Sequence, residues 1–173
     1  VAVRRIVLVG GPQESVLRQK SKKIHRVDDY TRALIEDLID TVKDAHGAGL
    51  SAPQINVPLR AIVTYIDETL RVVLNPEIVD ESEEEIEQDE GCLSIPGWWG
   101  PVRRKARVTV RGMSPTGKSI KIKAEAMEAR CFQHEIDHLN GILYIDRMDD
   151  RNKLYQVTDE DEEEEMEEEH VVA

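Results

Sequence analysis

His134-Glu135-Ile136-Asp137-His138 decides how this chain is read. Two histidines four residues apart stack on one face of a helix, so both imidazoles reach the same point in space. A glutamate directly after the first histidine is placed to act on water activated by a metal, which is the chemistry of H-E-x-x-H. The pentapeptide also predicts its own context, a helix from about Met127 to Asn140 that stops at Gly141.

Catalytic sites of this kind take three protein ligands and keep one position open. A metzincin would supply a third histidine after the glycine, but the sequence reads Gly141 and then Tyr144 where that ligand belongs. Other zincins use a later carboxylate, and the distal part of the chain is rich in glutamate. The better candidate lies upstream, in Glu90-Gly91-Cys92-Leu93-Ser94 followed by Ile95-Pro96-Gly97. A thiolate is a strong metal ligand, and coordination deprotonates it. Cys92, His134 and His138 would make a tetrahedral site with one open corner.

Three segments together resemble peptide deformylase: Gly47-Ala48-Gly49-Leu50-Ser51-Ala52-Pro53-Gln54, Glu90-Gly91-Cys92-Leu93-Ser94, and Gln133-His134-Glu135-Ile136-Asp137-His138. They occur in that family's order, and the resemblance spans residues 5 to 150. Ala48 and Ser51 stand where the family often has Ile and Ala, which predicts an altered pocket wall. The resemblance implies removal of formate from the N-formyl-methionine end of nascent proteins. It implies metal ligation by Cys92, His134 and His138, with Glu135 as proton acceptor and donor. It gives oxyanion stabilisation to the Gln54 side-chain amide and the Leu93 backbone N–H, and places Gly49 and Gly91 along the bound peptide. It also implies one divalent metal ion, ferrous iron first. The donor set equally permits zinc, nickel or cobalt. Ala48, and Met127 and Cys131 one or two turns before His134, are the remaining candidates for the substrate wall; ordinary core packing accounts equally well for the last two.

Composition points to a single catalytic domain over residues 1–158 and an acidic tail over 159–173. The net charge of -12 comes mostly from ten acids between Asp159 and Glu169; without them, 25 acidic face 23 basic side chains. Such like-charge blocks are usually solvated. A tail of that sign would be repelled by RNA, so no direct nucleic-acid binding is expected, and transient ribosome association would need another surface. No apolar run has the length of a membrane span, so no membrane partner is expected. The basic then apolar Val1–Gly10 is too short for a signal peptide and reads as an early extended segment. A disulfide between the two cysteines would destroy the proposed site, which favours a reducing, cytoplasmic setting.

The remaining elements predict an α+β fold, with small antiparallel or mixed β-sheets packed around the metal-binding helix. Asp28 or Asp29 caps a helix to about His46, with Leu34, Ile35, Leu38, Ile39 and Val42 as its buried stripe and Gly47 as its stop. Leu59–Ile66 and Leu70–Val79 read as strands, as do Ala106–Gly112 and Lys118–Ala126; Glu81–Glu90 suits an exposed strand, and Ile142–Ile145 a last extended piece. Trp98 and Trp99 fall in a loop, and Arg130 reads as an ion-pair former. Gly112 to Ser119 matches the Walker A pattern, but the alternation after it predicts a strand where a phosphate-binding loop needs a helix. Two other readings stay open: a zincin-type peptidase with a distal glutamate ligand, and a non-catalytic metal or peptide-binding module.

Overall fold

The computed structural model describes residues 2–157 and 171–172. The predicted tail lies outside them, apart from Val171–Val172.

The first long helix, α1 (Asp29–Asp44), begins where the Asp28 carboxylate accepts the Thr31 N–H at 2.9 Å. Its end differs from expectation. His46, not Gly47, takes the left-handed conformation (φ 53°), while the Gly47 N–H closes on Val42 O at 3.0 Å and the His46 N–H on Lys43 O at 3.2 Å. These two bonds satisfy carbonyls of the last turn. Gly47 instead packs closely: a β-carbon there would lie 2.8 Å from Leu93 Cδ1, which would have to shift.

β1 (Gly49–Ser51) follows, then β2 (Ala61–Ile66) and β3 (Thr69–Glu81). β2 and β3 join through Asp67 and Glu68, both at positive φ, a two-residue turn whose twist suits a hairpin. β4 (Glu85–Cys92) and β5 (Ile95–Lys105) form a second hairpin whose tip carries Cys92. β5 corrects the loop expected there: Gly97, Gly100 and Pro101 are turn chemistry, yet Gly100 and Pro101 pair with β4, while Gly97 (φ +82°) falls in the irregularity between the Trp99 and Ile95 pairs. β6 (Arg107–Met113) and β7 (Ser119–Glu125) form the expected hairpin around Gly117 at φ +84°, so a strand does follow the Walker-like run.

α2 (Ala126–Leu139) is buried without a break from Ala129 to Leu139. Gly141 ends it at φ +74°, and a β-carbon there would meet Arg18 O at 2.6 Å. The extended piece expected at Ile142–Ile145 is instead a single helical turn, α3 (Tyr144–Arg147). The Asp146 carboxylate accepts the Leu143 N–H at 2.9 Å and is gripped by Arg18, which fixes that turn. β8 (Tyr155–Gln156) and β9 (Val171–Val172) complete the order.

One sheet runs β1-β2-β3-β6-β7 and the other β8-β5-β4-β9. Alternation along β2 sends Ala61 and Val63 toward Leu34, Leu38 and Val42 of α1, and Ile62 toward Phe132 and Leu139 of α2. Both faces of the strand are therefore covered, which explains its continuous apolar run. The chain's first residues form no strand. They act as a strap: the Val7 N–H donates to Gln54 O at 2.7 Å and the Val9 N–H to Ser94 O at 2.9 Å.

Candidate metal centre

α2 supplies two imidazoles and the tip of the β4–β5 hairpin supplies the thiol. Cys92 Sγ lies 3.4 Å from His138 Nε2, and the two Nε2 atoms of His134 and His138 are 3.2 Å apart. All three ligand atoms lie within 4.8 Å of one another, and each residue is buried. Metal–nitrogen and metal–sulfur bonds of about 2.0 and 2.3 Å at tetrahedral angles put donors roughly 3.3 to 3.6 Å apart. The observed spacing fits that requirement. Two ring nitrogens and a sulfur facing each other in a dry pocket form a donor set that could hold a cation.

Burial shifts the ionisation of two of these donors away from the ordinary range. The Cys92 thiol is pushed up to about 12, chiefly by burial, with partial relief from hydrogen bonds to Ser94. His138 is driven well below the ordinary imidazole value by burial and by His134, so the ring is neutral and one nitrogen offers its lone pair as a ligand. A bound cation would reverse the thiol's preference.

Behind His134 stands a buried ionic network. His134 Nδ1 donates to Glu90 Oε1 at 2.8 Å, which in the neutral tautomer turns the lone pair of Nε2 toward the centre. Arg104 forks onto the same carboxylate, with both N–H···O distances 2.9 Å, and Arg130 Nη1 adds a third contact at 2.5 Å. Burial alone would raise the Glu90 carboxyl, but Arg104 and the His134 hydrogen bond bring it far below the usual carboxylate range. Arg104 continues to Asp137 at 2.6 Å, and Arg147 clamps Asp137 from the far side at 2.9 Å. Arg130 is thus an ion-pair former, as expected. The roles of Arg104, Asp137 and Arg147 were missed; Asp137 sits inside the opening motif, but nothing in its spacing names its partners.

Glu135 is fully buried, and neither of its carboxylate oxygens meets a hydrogen-bond partner among the described residues. Its Oε1 lies 4.0 Å from His134 Nε2. Burial, reinforced by the Glu90 charge, raises its pKa well above the ordinary value. Gln54 approaches from a short helical turn (Ala52–Ile55) after β1. Its Oε1 accepts both the backbone N–H and the hydroxyl of Ser51, each at 3.0 Å, so Nε2 points to Ser94 Oγ at 3.1 Å and Cys92 Sγ at 3.6 Å. Ser51 therefore orients the amide and does not form the pocket wall expected of it.

Beside the centre opens a cavity of about 520 Å³, lined in part by Ala48, Gly91, Cys92, Leu93, Trp98 and Met127. Trp98 rims it; Trp99 is buried in the same strand, so neither belongs to a loop. Gly49 and Cys131 stand behind this wall. A β-carbon on Gly49 would lie 2.7 Å from Cys131 Sγ, and that thiol donates to Ala48 O at 3.4 Å. Both cysteines are free thiols.

A sequence profile described as polypeptide deformylase matches residues 3–154. The chain belongs to the polypeptide deformylase family. The peptide deformylase of Thermomicrobium roseum is 45% identical over 172 residues, covering 94% of this chain and 96% of the relative. Among solved structures, the peptide deformylase of Ehrlichia chaffeensis in complex with actinonin superposes with a TM-score of 0.83 at 32% identity, covering 97% of this chain and 99% of that one. The Met-Ala-Ser-bound class I type b peptide deformylase of Acinetobacter baumannii gives 0.80 at 28% identity, covering 85% and 99%. The deformylase fold is thus the α+β fold expected from the sequence.

Proposed function

We propose that the chain is a metal-dependent hydrolase that removes the N-formyl group from the N-terminal formyl-methionine of nascent proteins, releasing formate. The carrying observation is the convergence of Cys92, His134 and His138 beside the unpartnered carboxylate of Glu135. Family membership supports the reaction, and the Met-Ala-Ser bound to the Acinetobacter relative supports a peptide ligand.

Cys92 Sγ and the Nε2 atoms of His134 and His138 would hold the cation. When bound, a divalent metal supplies a Lewis acid that lowers the pKa of water toward neutrality. Glu135 takes a proton from the attacking water and returns it to the leaving amine. Its dry surroundings favour the protonated form, so it keeps that proton until the amine departs. Gln54 Nε2 and the Leu93 N–H donate to the oxygen that becomes negative, each contributing about 3 kcal/mol. Ala48, Gly91 and Met127 face the peptide, with Gly49 and Cys131 supporting that wall from behind. Ferrous iron is the preferred metal, with zinc, nickel or cobalt able to replace it.

The two free thiols suit a reducing, cytoplasmic setting. No described helix is long and apolar enough to cross a membrane. Nascent chains are the partners, with transient ribosome association through a surface other than the acidic run. The test is formate release from formyl-Met-Ala under anaerobic conditions, with metal content measured in the same sample. Stoichiometric metal and formate release support the reading; loaded protein without release refutes it.

A further inference from the structure

β4 carries β5 on one edge and, on the other, the two residues of β9. Val171 and Val172 pair in parallel with Glu90 and Gly91, ending next to Cys92. The backbone of β9 also runs beside α2, the helix that carries both histidines. Gly91, Cys92 and Leu93 form one wall of the cavity, and Gly47 and Ala48, leading into the outer strand β1, form the opposite one. An extended peptide reaching the centre gains main-chain hydrogen bonds by adding to such an edge. Glu90 and Gly91 are the residues of β4 that immediately precede the thiol, and the protein's own chain is paired there.

Reach poses no obstacle. β8 and β9 sit at opposite ends of the four-stranded sheet, three strand spacings or about 14 Å apart. Residues 158 to 170 can span that distance several times over at ~3.3 Å per residue. A two-residue strand is also easily displaced, because it contributes few hydrogen bonds.

We propose that β9 is an autoinhibitory contact: Val171–Val172 occupy in cis the edge of β4 beside Cys92 to which an extended peptide substrate adds. This rests on the deformylase reading for the identity of the substrate, but not for the contact itself. A tethered competitor weakens apparent affinity by the fraction of molecules in which it is seated. It does not alter the chemistry once the substrate has displaced it.

The test compares the metal-loaded full chain with its V171P/V172P variant, since proline removes the N–H groups and cannot continue the pairing. Three readouts are taken: amide hydrogen exchange over residues 88–92, binding of the tripeptide Met-Ala-Ser by calorimetry, and turnover of formyl-Met-Ala-Ser. Expected are faster exchange in the variant with α2 still protected, Kd for Met-Ala-Ser lower by roughly three- to ten-fold, and KM lower with kcat unchanged. Unchanged exchange would remove the contact. Faster exchange with equal or weaker tripeptide binding would remove the autoinhibition. Absence of turnover in both proteins would count against the deformylase reading, and exchange and binding would still decide the proposal.

Discussion

His134 Nδ1 and Glu90 Oε1 stand 2.8 Å apart, both buried, and this contact ties a metal-binding imidazole directly to the β4–β5 hairpin that supplies the thiol. Partners of this kind set ligand tautomer and ring orientation, and their loss typically costs 10- to 100-fold in metal affinity. Glu90→Gln should therefore lower metal affinity by about that factor. It should also destabilise the fold by roughly 3–5 kcal/mol, because Arg104 and Arg130 lose their buried counter-charge. Metal titration and urea unfolding measure the two effects; wild-type values for both would show that the network is idle.

Among the described residues Glu135 has no hydrogen-bond partner, so replacing it breaks no hydrogen bond, although it vacates buried volume. Glu135→Ala should keep full metal content while turnover falls by roughly 10²-fold or more. Steady-state formate release with metal analysis decides it, and unimpaired turnover would take this residue out of the reaction.

The Gln54 amide is held by two donors from Ser51, one from the backbone and one from the hydroxyl. Gln54→Leu should lower kcat by about 10²- to 10³-fold, the usual effect of deleting an oxyanion donor. Ser51→Ala removes only the hydroxyl bond, and a loss within about ten-fold is expected. Equal losses in the two variants would contradict this ranking.

Much of the centre was legible in the chain because its chemistry is encoded locally. The i, i+4 histidines and the Gly-Cys-Leu run are short patterns whose residue types admit few uses. The long-range ionic network was not legible: Arg104 lies 14 residues from Glu90 and 33 from Asp137, and only the folded hairpin brings the three together. β5 was hidden because Pro101 and three nearby residues of turn type outweigh its strand signal. The turn at Tyr144 escaped because it depends on Arg18, more than a hundred residues away, holding Asp146.

Gly49 shows how close α2 approaches β1. A β-carbon there would sit 2.7 Å from Cys131 Sγ and 3.1 Å from Glu135 Cγ. Gly49→Ala should destabilise by about 1–3 kcal/mol through overpacking. Combining it with Cys131→Ala, which vacates the nearer atom, should recover part of that loss. A double-mutant cycle on thermal unfolding reports the coupling; strict additivity would place the clash elsewhere.

Asp146 is held below its ordinary pKa of 3.8; burial opposes this, but the Arg18 hydrogen bond and the Leu143 N–H prevail. A carboxyl with a depressed folded pKa lends stability above its unfolded value and loses it as pH falls through the folded one. Asp146→Asn should therefore be less stable than the parent at neutral pH, and the gap should close as pH drops below 3.8. Chemical denaturation across that range checks the sign; a gap that widened toward acid would reverse it.

The central claim is that one thiolate and two imidazoles hold a single cation. X-ray absorption at the metal edge of anaerobically prepared protein tests it most directly. One sulfur at about 2.3 Å and two nitrogens at about 2.0–2.1 Å are predicted, with the sulfur shell lost in Cys92→Ala. A first shell of nitrogen and oxygen alone in the active parent protein would contradict the account.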